Sequence, residues 1–408
     1  MRVFFSTGEA SGELLAADLL RAMRARTAVE AEGIGDLRLE RAGVRIVQRN
    51  RGWASMGVFE ALRRLPRTVS AGLRVALRLR RSPPDLVVLV DFGAFNLRLA
   101  AMLRALGFGQ PIVYYAPPSA WLDSAKRARR VAALCDALTV FRHQAEFYRS
   151  LGLPIGYLGH PLVSTIAGRE PRAAAPADGG VIALLPGSRA GEIERHTPRL
   201  LDALARVREA RPNVRALLVA ADDDAQKHVE HLLALRSPLP LEVVRDARAA
   251  LREADAAAIA SGTAVLEAAL IGTPAVALYV LSEAQAKIAR RVYRGAYVTL
   301  PNLVVDAPVV PELLQQAATP AALAEQILAL LEQPQRQQDG YARVRAALGP
   351  PDSLQRNADW VLNIATESNP VVERALGESC DADIASARAS WGPRAEGAGG
   401  AEPGAERR

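Results

Sequence analysis

The sequence predicts an α/β protein of two Rossmann-like domains facing each other across a cleft, and three observations carry that prediction. Short apolar runs alternate with segments of helical spacing in two successive series, which is the pattern of parallel βα units. Residues 165–178 are rich in proline and alanine, have no apolar period and separate the two series. Each series opens on a buried strand running into a glycine turn, Thr7-Gly8-Glu9-Ala10-Ser11-Gly12-Glu13 in one and Pro186-Gly187-Ser188-Arg189 in the other. At 408 residues the chain exceeds one ordinary domain, and with half its residues hydrophobic it has material for two cores. The expected division is a first domain over 1–164, a linker over 165–178 and a second domain over 179–340. C-terminal helices over 341–366 and a disordered tail over 367–408 follow.

Composition narrows the class of function. The net charge of +7 rests almost wholly on arginine, the only lysines being Lys126, Lys227 and Lys287. Such a balance suits an anionic partner: nucleotide phosphates, a phospholipid surface or nucleic acid. Nucleic acid is the poorest fit, because no recognition motif or aromatic platform accompanies the charge. Cys135 and Cys380 do not make a disulfide framework and fit a reducing cytoplasm. No signal peptide is expected, since Arg2-Val3-Phe4-Phe5-Ser6 reads as a strand, and no apolar run approaches the roughly 18 residues of a membrane helix.

In chain order, residues 2–6 are the first strand and Leu14 to Met23 the first helix. The turn between them is not Gly-x-Gly-x-x-Gly, so a dinucleotide fingerprint fits poorly. Gly33 to Gly35 and Val44 to Val47 suggest further strands. Val58 to Arg81 is amphipathic and strongly basic, with Arg63, Arg64, Arg67, Arg74, Arg78, Arg80 and Arg81, and is interrupted by Pro66. It reads either as a solvated helix face or as a membrane-surface patch. Leu86 to Val90 is the clearest central strand of this half, and Asp91 stands at its carboxyl end, where open α/β sheets bind ligands. Ile112 to Tyr115 is a strand leading to Ala116-Pro117-Pro118-Ser119-Ala120-Trp121, followed by a basic helix. Ala137 to Phe141 is another strand, and Ile155 to Leu158 runs into Gly159-His160-Pro161-Leu162. His160 by itself reads as structural.

The second half restarts with a strand at Val181 to Leu185, the Pro186 to Arg189 turn and a helix from about Ala190. Val214 to Ala220, Leu241 to Val244, Ala256 to Ala260 and Ala275 to Val280 supply the remaining strands. The stretch from Ala256 to Gly272 is the most informative of the chain. A buried strand ends at Ser261-Gly262-Thr263, and a helix over Ala264 to Ile271 stops at Gly272. The turn offers backbone N–H groups, two hydroxyls and a positive helix end, which is equipment for a phosphate. Glu267, about one helical turn beyond Thr263, suits a ribose diol. Helices are expected over 320–333, 336–347 and 353–364.

In the order in which they occur, these pieces resemble the lipid-A-disaccharide synthase family of inverting glycosyltransferases, from Val3 to about residue 365. The carriers are Gly8 to Glu13, Met56-Gly57-Val58-Phe59-Glu60, Asp91 with Phe95-Asn96, Pro118 to Trp121 and Gly159 to Leu162. In the second half they are Leu184 to Arg189, Ser261 through Glu267, Leu300-Pro301-Asn302-Leu303 and Val310-Pro311-Glu312-Leu313. The resemblance implies a GT-B fold whose C-terminal helix packs back on the first domain. It implies transfer from UDP-2,3-diacylglucosamine to 2,3-diacylglucosamine 1-phosphate, giving a β-1,6-linked disaccharide 1-phosphate and UDP. Asp91 would be the base; Ser188, Arg189, Ser261, Gly262, Thr263 and Glu267 would hold the UDP-sugar. Glu9, Ser11, Gly12, Asn96, Ser119, Trp121 and His160 would lie on the sugar and acceptor side. The positive charge for the leaving group would come from the protein, so no metal and no cofactor are expected. The partners implied are UDP-diacylglucosamine, a lipid acceptor, the anionic cytoplasmic face of the inner membrane and a second copy in a homodimer.

Three stretches depart from the family's pattern. Ala94 stands where a second acid is common, Asp123 and Ser124 replace a tryptophan and a basic residue, and Gln144 replaces a glutamate. All lie in the first domain. A divergent transferase with another acceptor, a UDP-sugar 2-epimerase and a non-catalytic UDP-sugar-binding relative are the competing readings.

Overall fold

The computed structural model describes residues 1–367 apart from 51–52, 54–57, 119–123, 171–172, 236–239 and 294. The expected tail, Ser119 and Trp121 lie outside the described residues. In the first domain the strands are β1 (Arg2–Ser6), β2 (Glu30–Gly35), β3 (Arg45–Arg49), β4 (Leu86–Val90), β5 (Ile112–Tyr115), β6 (Asp136–Thr139) and β7 (Gly156–Tyr157). They form a parallel sheet in the order β3-β2-β1-β4-β5-β6-β7. The second domain contributes β8 (Gly179–Leu185), β9 (Asn213–Val219), β10 (Glu242–Val244), β11 (Ala256–Ala260), β12 (Ala275–Tyr279) and β13 (Glu312–Leu314). Their order, β10-β9-β8-β11-β12-β13, is again wholly parallel.

Both sheets therefore reverse direction of winding beside their first strand, between β1 and β4 and between β8 and β11. Chains diverge there, and the crevice left beyond the strand ends is where such folds bind ligands. The strands are short and apolar because helices cover both faces: β4 and β11 are buried at every residue. Phe5 of β1 pairs with Gly33 of β2, where a β-carbon would meet the Phe5 carbonyl oxygen at 2.2 Å, so glycine is required.

The series of strands expected in the second half, closing at Ala275 to Val280, stopped one element early. β13 is a three-residue edge strand preceded by Pro311, too short to carry a periodic signal. Its Glu312 accepts hydrogen bonds from the amides of Val298 and Thr299 and from Asn302 Nδ2, while Asn302 Oδ1 accepts those of Val309 and Val310. The two Pro-containing motifs are thus one polar network that shapes the loop leading to Leu300. The basic helix, expected to break at Pro66, runs without interruption over Val58–Arg81.

The C-terminal helices divide between the domains. Helix Gln338–Leu348 packs on the second, with Tyr341, Val344 and Leu348 in a core shared with Ile259 and Leu266. Helix Ser353–Glu367 returns to the first: Trp360 and Val361 join the core of Val3, Phe5 and Leu19, and Arg26 pairs with Asp359 at 2.8 Å. Asn357 Nδ2 donates to the Tyr115 hydroxyl at 3.2 Å and to the Gly159 carbonyl at 3.3 Å.

Candidate functional site

Asp91 leaves β4 on a backbone that ordinary residues avoid. Asp91 and Phe92 have φ of +49° and +47°, two successive non-glycine residues in the left-handed region. The surroundings hold that turn in place. Tyr114 Oη donates to the Asp91 carbonyl at 2.9 Å, and Asn96 Nδ2 donates to the same oxygen at 2.9 Å and to the Val90 carbonyl at 3.1 Å. Asn96 Oδ1 in turn accepts from Ser6 Oγ at 2.6 Å. Gly8 passes beneath the Phe92 ring, where a β-carbon would sit 2.0 Å from ring carbon, and a β-carbon on Gly12 would lie 3.8 Å from Asp91 Cβ, so the first helix packs close under the turn. Asn96 is 0% exposed. It supports the turn from behind and does not line the cleft, contrary to its expected place beside the sugar.

The Asp91 carboxyl is pushed up to about 6, first by burial and then by the charge of Glu9; the Phe92 amide and Arg189 act in the opposite direction. Arg189 arrives from the other domain. It caps helix Ala190–Ala210, its Nη1 donating to Glu192 Oε1 at 2.8 Å, and its Nη2 crosses to Glu9 Oε2 at 2.6 Å. Burial opposes the guanidinium's charge, but the carboxylates of Glu9 and Glu192 outweigh it and raise its pKa. Glu9, Arg189 and Asp91 thus form one electrostatic group spanning both domains.

His160 lines the same cleft but is 3% exposed, and burial lowers its pKa to about 3. Its Nδ1 accepts the Leu162 amide at 3.2 Å, which leaves the proton on Nε2. A neutral donor fits this position better than a base. Ser11 also lines the cleft, whereas Gly12 is buried under the Asp91 turn.

On the second domain, β11 ends and helix Thr263–Ile271 begins as the sequence predicts, with Gly272 (φ +92°) as its stop. One expectation changes: the Ser261 amide donates to Leu278 O at 2.9 Å and does not face the crevice. The amides of Gly262, Thr263 and Ala264 have no partner among the described residues, and a β-carbon on Gly262 would meet only Ala260 O, at 4.0 Å. Open amides at a helix start are suited to an anion. Ser188, Thr263 and Glu267 line the cleft. Glu267 is buried and ion-paired to Arg248, whose Nη2 and Nε lie 2.8 and 2.9 Å from Oε1. Arg248 was not legible from the sequence, because it lies nineteen positions away on a different helix.

All these groups converge on a cleft of about 580 Å³ between the strand ends of the two sheets. It brings together Ser11, Asp91, His160, Ser188, Arg189, Thr263 and Glu267, with Arg38, Arg127 and Leu300 added by the structure. Among the described residues no three His, Cys, Asp or Glu side chains gather as a metal site requires.

The family described as lipid-A-disaccharide synthetase matches residues 3–358. A lipid-A-disaccharide synthase of Pseudomonas aeruginosa is 37% identical over 373 residues, 89% of this chain and 98% of the relative. One from Azotobacter vinelandii is 36% identical over 377 residues, 90% and 98% of the two chains. Among solved structures, a UDP-N-acetylglucosamine 2-epimerase from Listeria monocytogenes, described as putative, superposes with a TM-score of 0.61 at 11% identity, covering 93% of this chain and 99% of its own. The glycotransferase of kitacinnamycin gives 0.55 at 17%, covering 92% and 99%. At such identities the likeness is one of fold.

Proposed function

Because the chain belongs to the lipid-A-disaccharide synthetase family, we propose that its cleft joins UDP-2,3-diacylglucosamine to 2,3-diacylglucosamine 1-phosphate. The chain is a glycosyltransferase of lipid A biosynthesis. In the proposed step Asp91 takes the proton of the acceptor 6-hydroxyl as that oxygen attacks the anomeric carbon from the face opposite UDP. The bond to the β-phosphate oxygen breaks, its electron pair leaves with UDP, and the sugar carbon inverts. Arg189 and the open amides at Gly262, Thr263 and Ala264 meet the charge that develops on the diphosphate. Glu267, fixed by Arg248, accepts from the ribose hydroxyls.

The observation that carries this reading is the opposition, in one cleft, of a carboxylate of raised pKa on one domain and an anion-holding turn with Arg189 on the other. Incubation with UDP-diacylglucosamine and the 1-phosphate acceptor should give the disaccharide 1-phosphate by mass spectrometry. Product NMR with UDP-GlcNAc tests the epimerase reading, and an inverted C2 there with no transfer would overturn ours. Glu267→Ala should weaken UDP binding about 5- to 100-fold, the worth of one or two hydrogen bonds to a charged group, without unfolding the protein. Equal affinities by calorimetry would remove the ribose assignment.

We propose further that the protein works at an anionic membrane surface. No helix of the described residues is long and apolar enough to cross a membrane. Helix Val58–Arg81 nevertheless presents Val69 and Leu73, 40% and 46% exposed and four residues apart, on a basic element. Apolar residues rimmed by arginine suit an interfacial position. Binding to anionic vesicles should fall as salt rises, and reversing Arg63, Arg64 and Arg67 to glutamate should release the protein. Binding indifferent to both salt and these charges would reduce the helix to a solvated face.

A further inference from the structure

The charges lining the cleft do not balance on the acceptor side. Arg189 is met by Glu9 and Glu192, and Glu267 by Arg248. Among the described residues that leaves Arg38 and Arg127, both half-buried in the cleft wall, against the carboxylate of Asp91. Neither guanidinium has a hydrogen-bonding or ionic partner among the described residues.

The acids nearest to Arg38 in the chain are committed elsewhere. Asp36 and Glu40 both pair with Arg49, at 2.8 Å each. Glu13, packed under the same short helix, spends its carboxylate on the amides of Asp36 and Leu39 and on Asn50 Nδ2. Arg127 lies in helix Ala125–Leu134 among Lys126, Arg129 and Arg130, and its charge reaches the hydroxyl of Tyr114, the group that holds the Asp91 turn. Arg38 follows β2 and Arg127 follows β5, while the order β2-β1-β4-β5 puts Asp91, at the end of β4, between them. Two cations without a partner among the described residues thus flank the proposed base, on the domain opposite the nucleotide turn. A partly desolvated guanidinium without a carboxylate is costly unless a ligand anion completes it.

We propose that Arg38 and Arg127 together bind a phosphomonoester on the acceptor sugar and so place its hydroxyl at Asp91. The proposal rests on the transfer reaction given above and assigns the acceptor's anionic group to these two side chains. A guanidinium suits it because its planar donors engage phosphate oxygens in pairs.

The test compares the 1-phosphate acceptor with its dephosphorylated analogue, at constant UDP-diacylglucosamine, in wild type, Arg38→Gln and Arg127→Gln. Wild type should prefer the phosphorylated acceptor in kcat/KM. Each variant should reduce that preference ratio by about 10- to 100-fold, the usual worth of a charge-assisted hydrogen bond, with UDP affinity by calorimetry at the wild-type value. A merely structural role would lower both rates alike and leave the ratio unchanged, which would overturn the proposal. Loss of UDP affinity in place of the ratio would move the arginines to the donor and overturn it as well. A wild-type protein that transfers to neither acceptor would instead bring down the reaction assignment, and this proposal with it.

Discussion

Asp91→Asn should lower turnover by about 10²–10⁴, the usual contribution of a general base, while UDP affinity stays at its wild-type value. Asparagine keeps the shape of the side chain and leaves the support of the turn intact, since Tyr114 and Asn96 hold the backbone carbonyl of residue 91 and not its carboxylate. In the wild type kcat/KM should fall as pH drops through about 6, because the base must be ionised and Asp91 binds its proton there. Stability should move the other way. A carboxyl raised above its ordinary value is disfavoured as a charge in the folded state, so it costs stability above pH 6 and that cost vanishes as pH falls below the unfolded value. The asparagine variant should therefore unfold at an equal or higher temperature than wild type at pH 8. A variant that loses turnover by unfolding would show the opposite and remove the base assignment. His160→Ala is the parallel control. If it abolishes turnover with a loss of the pH 6 limb while Asp91→Asn does neither, the base has been misplaced.

Arg189→Gln should cost about 10²–10³ in kcat, the effect of removing one preorganised donor from a developing anion. It should also move the acid limb of the pH profile upward. Arg189 lowers the Asp91 pKa and Glu9 raises it, so removing the arginine leaves the Glu9 charge uncompensated beside the base. Glu9→Gln should shift the limb downward for the same reason. A change in kcat with an unmoved limb would mean that the three side chains do not act as one group in solution. A moved limb with kcat unchanged would take Arg189 away from the leaving group.

Much of the architecture was legible because it is written in local patterns. Apolar runs of four to seven residues, glycine turns after them and helical spacing beyond fix where strands and helices begin, whichever neighbours they later meet. That is why β4 with Asp91 behind it, and β11 with its turn and helix, fell where the sequence put them. The places where such reading stopped short have physical causes too. β13 is only three residues long, and a proline inside a basic amphipathic run did not break its helix, whose later turns bury Ala71, Val75, Ala76 and Leu79.

By itself the sequence determined most of the order of elements and the strand end on which the carboxylate stands; the two winding reversals came from the sheets. Only the tertiary structure decided what each polar side chain does there. Asn96 became the buried support of a strained turn, and burial left His160 neutral. Glu267 acquired Arg248, and Glu9 reached Arg189 across 180 positions of chain. Among the described residues Arg38 has no carboxylate, because Arg49 and backbone amides hold Asp36, Glu40 and Glu13. Periodicity depends on near neighbours and survives in the sequence. Charge pairing and burial depend on the direction of side chains and on how two domains meet, and distances of that kind exist only once the chain is folded.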